Sequence, residues 1–453
     1  MFSSIRPRAV TSDAGGRSLR GDGNGLAATD PRAAHALSLL HTHRGDPAGE
    51  VEALLAADPG STLVHCLRAA LIVAADDDGA RSQLAVSIAA IEAACPSDDD
   101  PARRHAAAAR AWLANHAALA LSRYGDIVVD APRDIVALVA AHALDFRLGR
   151  RRMLRDRIAQ VLPAWNAAMS GYASVLAMYA FGLVENGQYR RAEKAARRAL
   201  ALDRWHPGAI HALAHVMEMQ GRAREGVAFL DASESHWIRG NGFSVHLAWH
   251  RALFHLDADD PRAAFAAYDA QIAPADGLPA LADASALLWR LELRNVDVAT
   301  RWRALAERWE RHAWRGARPF YAVHAMMAFA AAGRTASARD VFDALGATRS
   351  PPQALLPEET LARPLCEALV AFARRDYTTC IERLREVRDI AHRCGGSLAQ
   401  CDVIHLTFTE AALRAREARL ARALVAERAA RKPASRSNQR LLARAGVVMP
   451  AIA

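Results

Sequence analysis

Lysine is nearly missing from this chain. Only Lys194 and Lys432 occur, so arginine carries almost all of the positive charge behind a net +9. The arginines alternate with acids, as between Arg301 and Arg311, where Glu307 and Glu310 intervene. Interspersed signs mark solvated helix faces with i,i+4 pairing, not a track for phosphates. The clusters Arg150–Arg152 and Arg190–Arg191 are short and lack interleaved aromatics, so no nucleic-acid partner is expected. Aromatic residues are also scarce, at 6% against 52% for all hydrophobic types. The core must therefore be built of alanine and leucine, the strongest helix formers. No apolar run approaches the roughly 18 residues of a membrane span, and no membrane partner is expected. The six cysteines form no Cys-x-x-Cys pair, and no secretory leader is legible. A reducing, cytoplasmic setting without a disulfide framework is the expectation. Also missing are a strand pattern and a Gly-x-Ser-x-Gly elbow, and the Gly21–Gly25 cluster has no strand before it to make a phosphate loop.

What is present is a period. Turn signals fall at Gly149, Gly187, Gly221, Asp259, Asn295, Gly333 and Arg375, spaced by 38, 34, 38, 36, 38 and 42 residues. Between Gly187 and Asp203, Ala192 and Ala199 stand where two helices must approach closely, and Tyr189 supplies bulk between them. That pattern is the signature of tetratricopeptide-type helix–turn–helix repeats, which cannot bury their apolar faces alone and must stack. The expected fold is an all-α, tetratricopeptide-like α-solenoid, a right-handed superhelix with a concave inner wall. Residues 1–30, rich in Gly, Ser and Arg, read as a disordered tail, and residues 31–448 as one continuous domain. Pro132 is expected to open a helix behind Asp130.

Histidines supply the chemistry. His211, His215 and Glu218 lie at i, i+4 and i+7, and His246 and His250 again stand four apart with Trp249 between them. His324 takes a comparable place two repeats later. An i,i+4 pair of imidazoles can share one ion, so His211, His215, His246 and His250 are candidate ligands for a divalent metal such as Zn or Fe. The residues between His211 and His215 are Ala-Leu-Ala, so the general base of a metalloprotease motif is missing. Acid–base catalysis by His215 or His250 with Glu218 is the alternative. Cys401 follows a turn at Gly395–Gln400, where Ser397 is expected to cap a helix.

The run Ile210–Met219, the His246-x-x-x-His250 segment, Ala56–Pro59, Tyr124–Asp126, His142 before Gly149, Trp302 after Asp297, His324, and Gly395–Gln400 with Asp402 resemble the tetratricopeptide repeat protein 38 family. The likeness runs from about residue 32 to 448 in one order. It implies an α-helical repeat protein found in bacteria and eukaryotes, without a settled activity. By resemblance to tetratricopeptide repeats, positions five, nine and twelve from Pro207, which are His211, His215 and Glu218, face the groove. The family usually has Asn after its counterpart of His246, where Leu247 stands here. Asn-Asp often occupies the place of Tyr321-Ala322, and Arg that of Cys401.

The functional expectation is a groove lined by His142, His211, His215, Glu218, His246, Trp249, His250 and His324, holding a peptide or small molecule in a binding or scaffolding role. The alternative is a metal-dependent or histidine acid–base enzyme using the same wall. Self-association is a further expectation, because solenoids often pair.

Overall fold

The computed structural model describes Leu26 and residues 30–312, 318–347 and 358–447. Among these residues the chain is all helix, with no strand and one isolated bridge between Arg44 and Asn241. It is a solenoid of tetratricopeptide-like helical hairpins. No helix among the described residues is long and apolar enough to cross a membrane. The expected tail falls outside the described residues apart from Leu26 and Asp30; Leu26 is buried, and its N–H donates to Asp134 Oδ2.

The turns explain the period. All seven marker residues, from Gly149 to Arg375, adopt positive φ of 59° to 72°. Each ends the first helix of a hairpin in the left-handed conformation and lets the second begin about two residues later. Asp76, Asn115 and Arg416 do the same, so the hairpins continue on both sides of the marked region. Helix starts are set by aspartates. Asp30, Asp46, Asp100 and Asp260 each cap a helix with proline in its first turn. Pro132 does not open a helix: the next one starts at Ile135, because Asp134 rather than Asp130 accepts from the third backbone N–H, that of Ala137.

Outer helices are amphipathic. Tyr189–Leu202 buries Ala192, Ala195, Ala196 and Ala199 on one stripe and leaves Arg190, Arg191 and Arg197 in water. Inner helices are apolar nearly all round. In Leu278–Leu293 even the capless middle, Ala280 to Leu291, is buried throughout. A helix of that kind must be covered on every side.

The cover comes from the chain's own carboxyl end. Helix Leu398–Arg414 packs on the inner helices Leu278–Leu293 and Pro207–Gln220. Trp289 Nε1 donates to Thr407 Oγ1 at 2.9 Å and Arg290 Nη2 to the Ala399 carbonyl at 2.7 Å. The Leu398 N–H donates to Glu185, and Ser435 Oγ to Asp257 Oδ1 at 2.6 Å. At two repeat turns the approach is so close that only glycine fits. A Cβ on Gly221 would stand 2.6 Å from the Ser435 nitrogen, and one on Gly149 would stand 2.7 Å from the His392 carbonyl oxygen. The amino end closes from elsewhere: Gly45 and Gly242 exchange backbone hydrogen bonds with Gly240 and His43, and Arg44 grips Asp203 at 2.7 and 2.8 Å.

Candidate metal centre

Helix Pro207–Gln220 begins at His206, whose Nδ1 accepts from the Ala209 N–H, with Pro207 at the first helical position. Its i,i+4 pair His211 and His215 shares one face. The neighbouring inner helix Ser244–Asp257 packs against it and presents His246 and His250. One ligand nitrogen from each of the four rings lies within 4.8 Å of every other. His215 Nε2 stands 2.9 Å from His211 Nε2 and 3.1 Å from His250 Nε2.

That contact is chemically demanding. A neutral imidazole nitrogen either carries a proton or offers a lone pair, never both. His215 Nε2 can therefore satisfy both neighbours only by accepting from each. With or without a cation among the rings, Nδ1 of His215 and Nδ1 of His250 are buried and have no hydrogen-bonding partner. A cation would instead collect three lone pairs at once. Metal–nitrogen bonds of about 2.0 Å place tetrahedral ligands about 3.3 Å apart, close to the His215–His211 and His215–His250 separations of 2.9 and 3.1 Å.

Burial keeps His211, His215 and His250 well below the ordinary imidazole range, and the neighbouring rings push in the same direction. They are neutral near pH 7, the state a metal requires. His246 is held differently. Its Nδ1 donates to Asp283 Oδ2 at 2.7 Å, which leaves its Nε2 as the lone-pair nitrogen. Asp283 is buried, and its other oxygen accepts from Gln400 Nε2 at 3.3 Å. A carboxylate behind a ligating imidazole fixes its tautomer and raises its basicity. Aromatic rings complete the shell. Phe181 and Phe243 both stack on His211, with centroids 5.4 and 4.4 Å away, and Trp249 stacks on His246 at 5.1 Å.

The remaining expected residues divide. Trp249 is fully buried, with the Arg290 guanidinium over its ring. His142 meets Phe181 edge-on, so one phenyl ring connects it to the cluster. His324 donates Nδ1–H to the Phe320 carbonyl at 2.7 Å and is not one of the four convergent rings. Glu218 does not join the histidines: its Oε1 takes the Lys432 ammonium, and it lines a separate cavity of about 430 Å³. The carboxylate that meets an imidazole here is Asp283, so a His–Glu218 acid–base pair is not assembled. Ser397 and Gln400 form a reciprocal capping box, and burial pushes the Cys401 thiol up to about 11, which removes thiolate chemistry there.

Sequence reasoning passed over several contributors. Asp283 had a signal, an acid in the middle of an otherwise apolar helix. His41 is buried and His43 is exposed, yet both connect to this region. Because His206 Nδ1 accepts, its Nε2–H donates to Ser174 Oγ at 2.7 Å, and the hydroxyl passes to His41 Nδ1 at 2.8 Å. His43 packs edge-on against Phe243, the ring stacked on His211.

No family model matches the chain. Among solved structures it is similar to one described as "Structure of Naa15/Naa10 bound to HypK-THB". The TM-score is 0.26 and the identity 12%, covering 93% of this chain and 69% of that one. The class of protein, an all-α repeat solenoid, rests on the helices described above.

Proposed function

We propose that this chain is a helical-repeat protein that holds one divalent transition-metal ion between His211, His215, His246 and His250. The observation that carries the reading is the convergence of four imidazole nitrogens from two adjacent inner helices within 4.8 Å. An all-imidazole donor set suits Zn, Fe, Cu or Ni and is poor for Ca or Mg. His215 and His250 are fully buried, and four protein ligands complete a tetrahedron. A closed set of this kind holds an ion as part of the structure. The role follows: the ion ties two inner helices together and sets the wall on which the carboxyl-terminal helices rest.

A second reading gives the ion an open position for a small molecule and makes the protein an enzyme. It rests on His246, whose side chain keeps 17% of its surface and is the least buried of the four rings. Membership of the tetratricopeptide repeat protein 38 family is part of the proposal, on the His211–His215 and His246–His250 segments. The one-domain organisation of residues 31–448 belongs with it. A reducing, cytoplasmic setting agrees with six free cysteines.

Elemental analysis of untagged protein grown with Zn, Fe, Cu and Ni supplied tests the main reading. One equivalent of metal, lost in His215→Ala/His250→Ala, is expected; a metal-free protein under all four conditions overturns it. Co(II) substitution separates the two readings. Visible bands that azide leaves unchanged indicate a closed site, whereas an azide-dependent spectrum indicates an open one.

A further inference from the structure

Beside the Leu398–Arg414 helix lies a second cavity, of about 380 Å³, whose lining shares no residue with the four-histidine centre. Its wall is cationic. Arg151, Arg388, Arg428, Arg431 and Lys432 line it, against Asp389 and Asp402. Several carboxylates that pair with these cations stand elsewhere. Glu427 reaches Arg388 and Arg431, Glu218 holds Lys432, and Glu185 lies 3.5 Å from Arg151.

Two donors on this wall make no hydrogen bond and have only a carboxylate oxygen 3.5 Å away, Glu185 Oε2 from Arg151 Nε and Glu427 Oε2 from His405 Nε2. His405 Nδ1 lies 3.4 Å from Arg428 Nη1, and a guanidinium can only donate, so Nδ1 accepts and the ring proton is on Nε2. That Nε2–H is buried without a hydrogen-bonding partner; the Glu427 carboxylate is 3.5 Å away. Arg151 Nε is likewise buried and unbonded, and Arg151 Nη2 finds only the Cys401 sulfur, at 3.3 Å. Both oxygens of Glu185 already accept from the Leu398 N–H, and burial pushes this carboxyl up to about 7, which weakens it as a counter-ion. Buried donors left without a hydrogen bond are costly, and an incoming oxyanion would satisfy them. Apolar side chains, among them Tyr189, Met219, Leu384, Ile404 and Phe408, make up most of the rest of the lining, beside His392, Cys401 and Asn438.

We propose that this cavity binds a small organic anion, its carboxylate or phosphate head between Arg151 and His405 and its hydrocarbon body against Ile404 and Phe408. The head accepts the missing hydrogen bonds, and the apolar wall supplies the preference for an organic over an inorganic ion. The proposal does not depend on the metal centre.

Titration calorimetry on the full chain at pH 7.5 tests it, with hexanoate, phenyl phosphate, inorganic phosphate and hexanamide as probes. At least one organic anion should bind once per chain, at least about tenfold tighter than inorganic phosphate and than neutral hexanamide. The two organic anions together tell which head group is preferred. Arg151→Met should weaken that binding about tenfold or more. Should Arg151→Met fail to fold, His405→Phe keeps the ring volume and net charge while removing the donor, and should weaken binding severalfold. Ile404→Trp, which fills the cavity, should abolish it. Equal binding of hexanamide, no binding by either organic anion, or unchanged affinity in both His405→Phe and Ile404→Trp would overturn the assignment.

Discussion

His246 and Asp283 form a carboxylate–imidazole pair at the four-ring cluster, across 2.7 Å between two inner helices. The bond fixes which nitrogen of His246 points at its neighbours. Through Gln400 it also connects the cluster to the helix that closes over it.

Removing that orienting charge should loosen the metal without removing a ligand. Asp283→Asn is expected to lower metal affinity by about 10- to 100-fold while leaving one equivalent bound at saturating ion. Competition with a chelator of known affinity measures it. An unchanged affinity would mean that Asp283 does not act through His246.

Acid should destabilise the metal-free protein. Burial lowers His211, His215 and His250 well below 6.5, and holds His41, His324 and His405 at about 4. A histidine whose folded pKa is depressed contributes stability that is complete above 6.5 and is lost as pH falls from there toward the folded value. Glu185, raised to about 7, works in the opposite sense together with Asp145 and Glu292, which burial also raises, but they are three groups against six histidines. Urea midpoints should therefore be level between pH 7.5 and 8.5 and drop between pH 6.5 and 4. A midpoint that rises toward pH 5 would contradict this account of the buried imidazoles.

Lys432 and Glu218 form a nearly buried ion pair. Lys432→Met should cost about 3–5 kcal/mol, because it strands a carboxylate in the interior. Glu218→Met combined with Lys432→Met should recover most of the loss, since two apolar side chains need no partner. Denaturant unfolding of the two single variants and the double variant closes the cycle, and an additive double variant would contradict the pairing.

Gly187 and Gly221 have nearly the same φ, 71° and 70°, but different surroundings. Nothing lies within 4 Å of a Cβ added at Gly187, whereas one at Gly221 meets the backbone of Ala434 and Ser435. Gly187→Ala should cost about 1–2 kcal/mol, the price of a left-handed alanine alone. Gly221→Ala should cost clearly more and raise proteolysis within residues 398–445. Equal effects at the two positions would argue against the tight approach of the carboxyl end.

Much of the fold was legible because a left-handed turn usually declares itself through glycine, asparagine or aspartate. Gly187, Gly221 and Gly333 do so. Arg416 also takes φ 59°, but unlike Arg375, which Asp376 follows, it has no glycine, asparagine or aspartate beside it, and that hairpin could not be seen from residue type. The His pairs were legible from their spacing of four. Glu218 was not placed correctly, because three residues beyond His215 leaves it about 60° around the helix, at the edge that meets Lys432. Asp283 depends on how two helices align across 37 positions of chain, and no local pattern encodes that register. The covering of the inner wall depends on still longer contacts, so an open groove was the natural expectation from the repeats alone.

The bond from the Leu398 N–H to Glu185 spans 213 residues. Ordinary repeat arrays melt from their ends, one unit at a time, since each unit touches only its neighbours. Here the last units are pinned to the middle, so trimming them would uncover apolar helices far upstream. Such a chain must complete most of its synthesis before its centre is sealed, and it should refold slowly and in one concerted step.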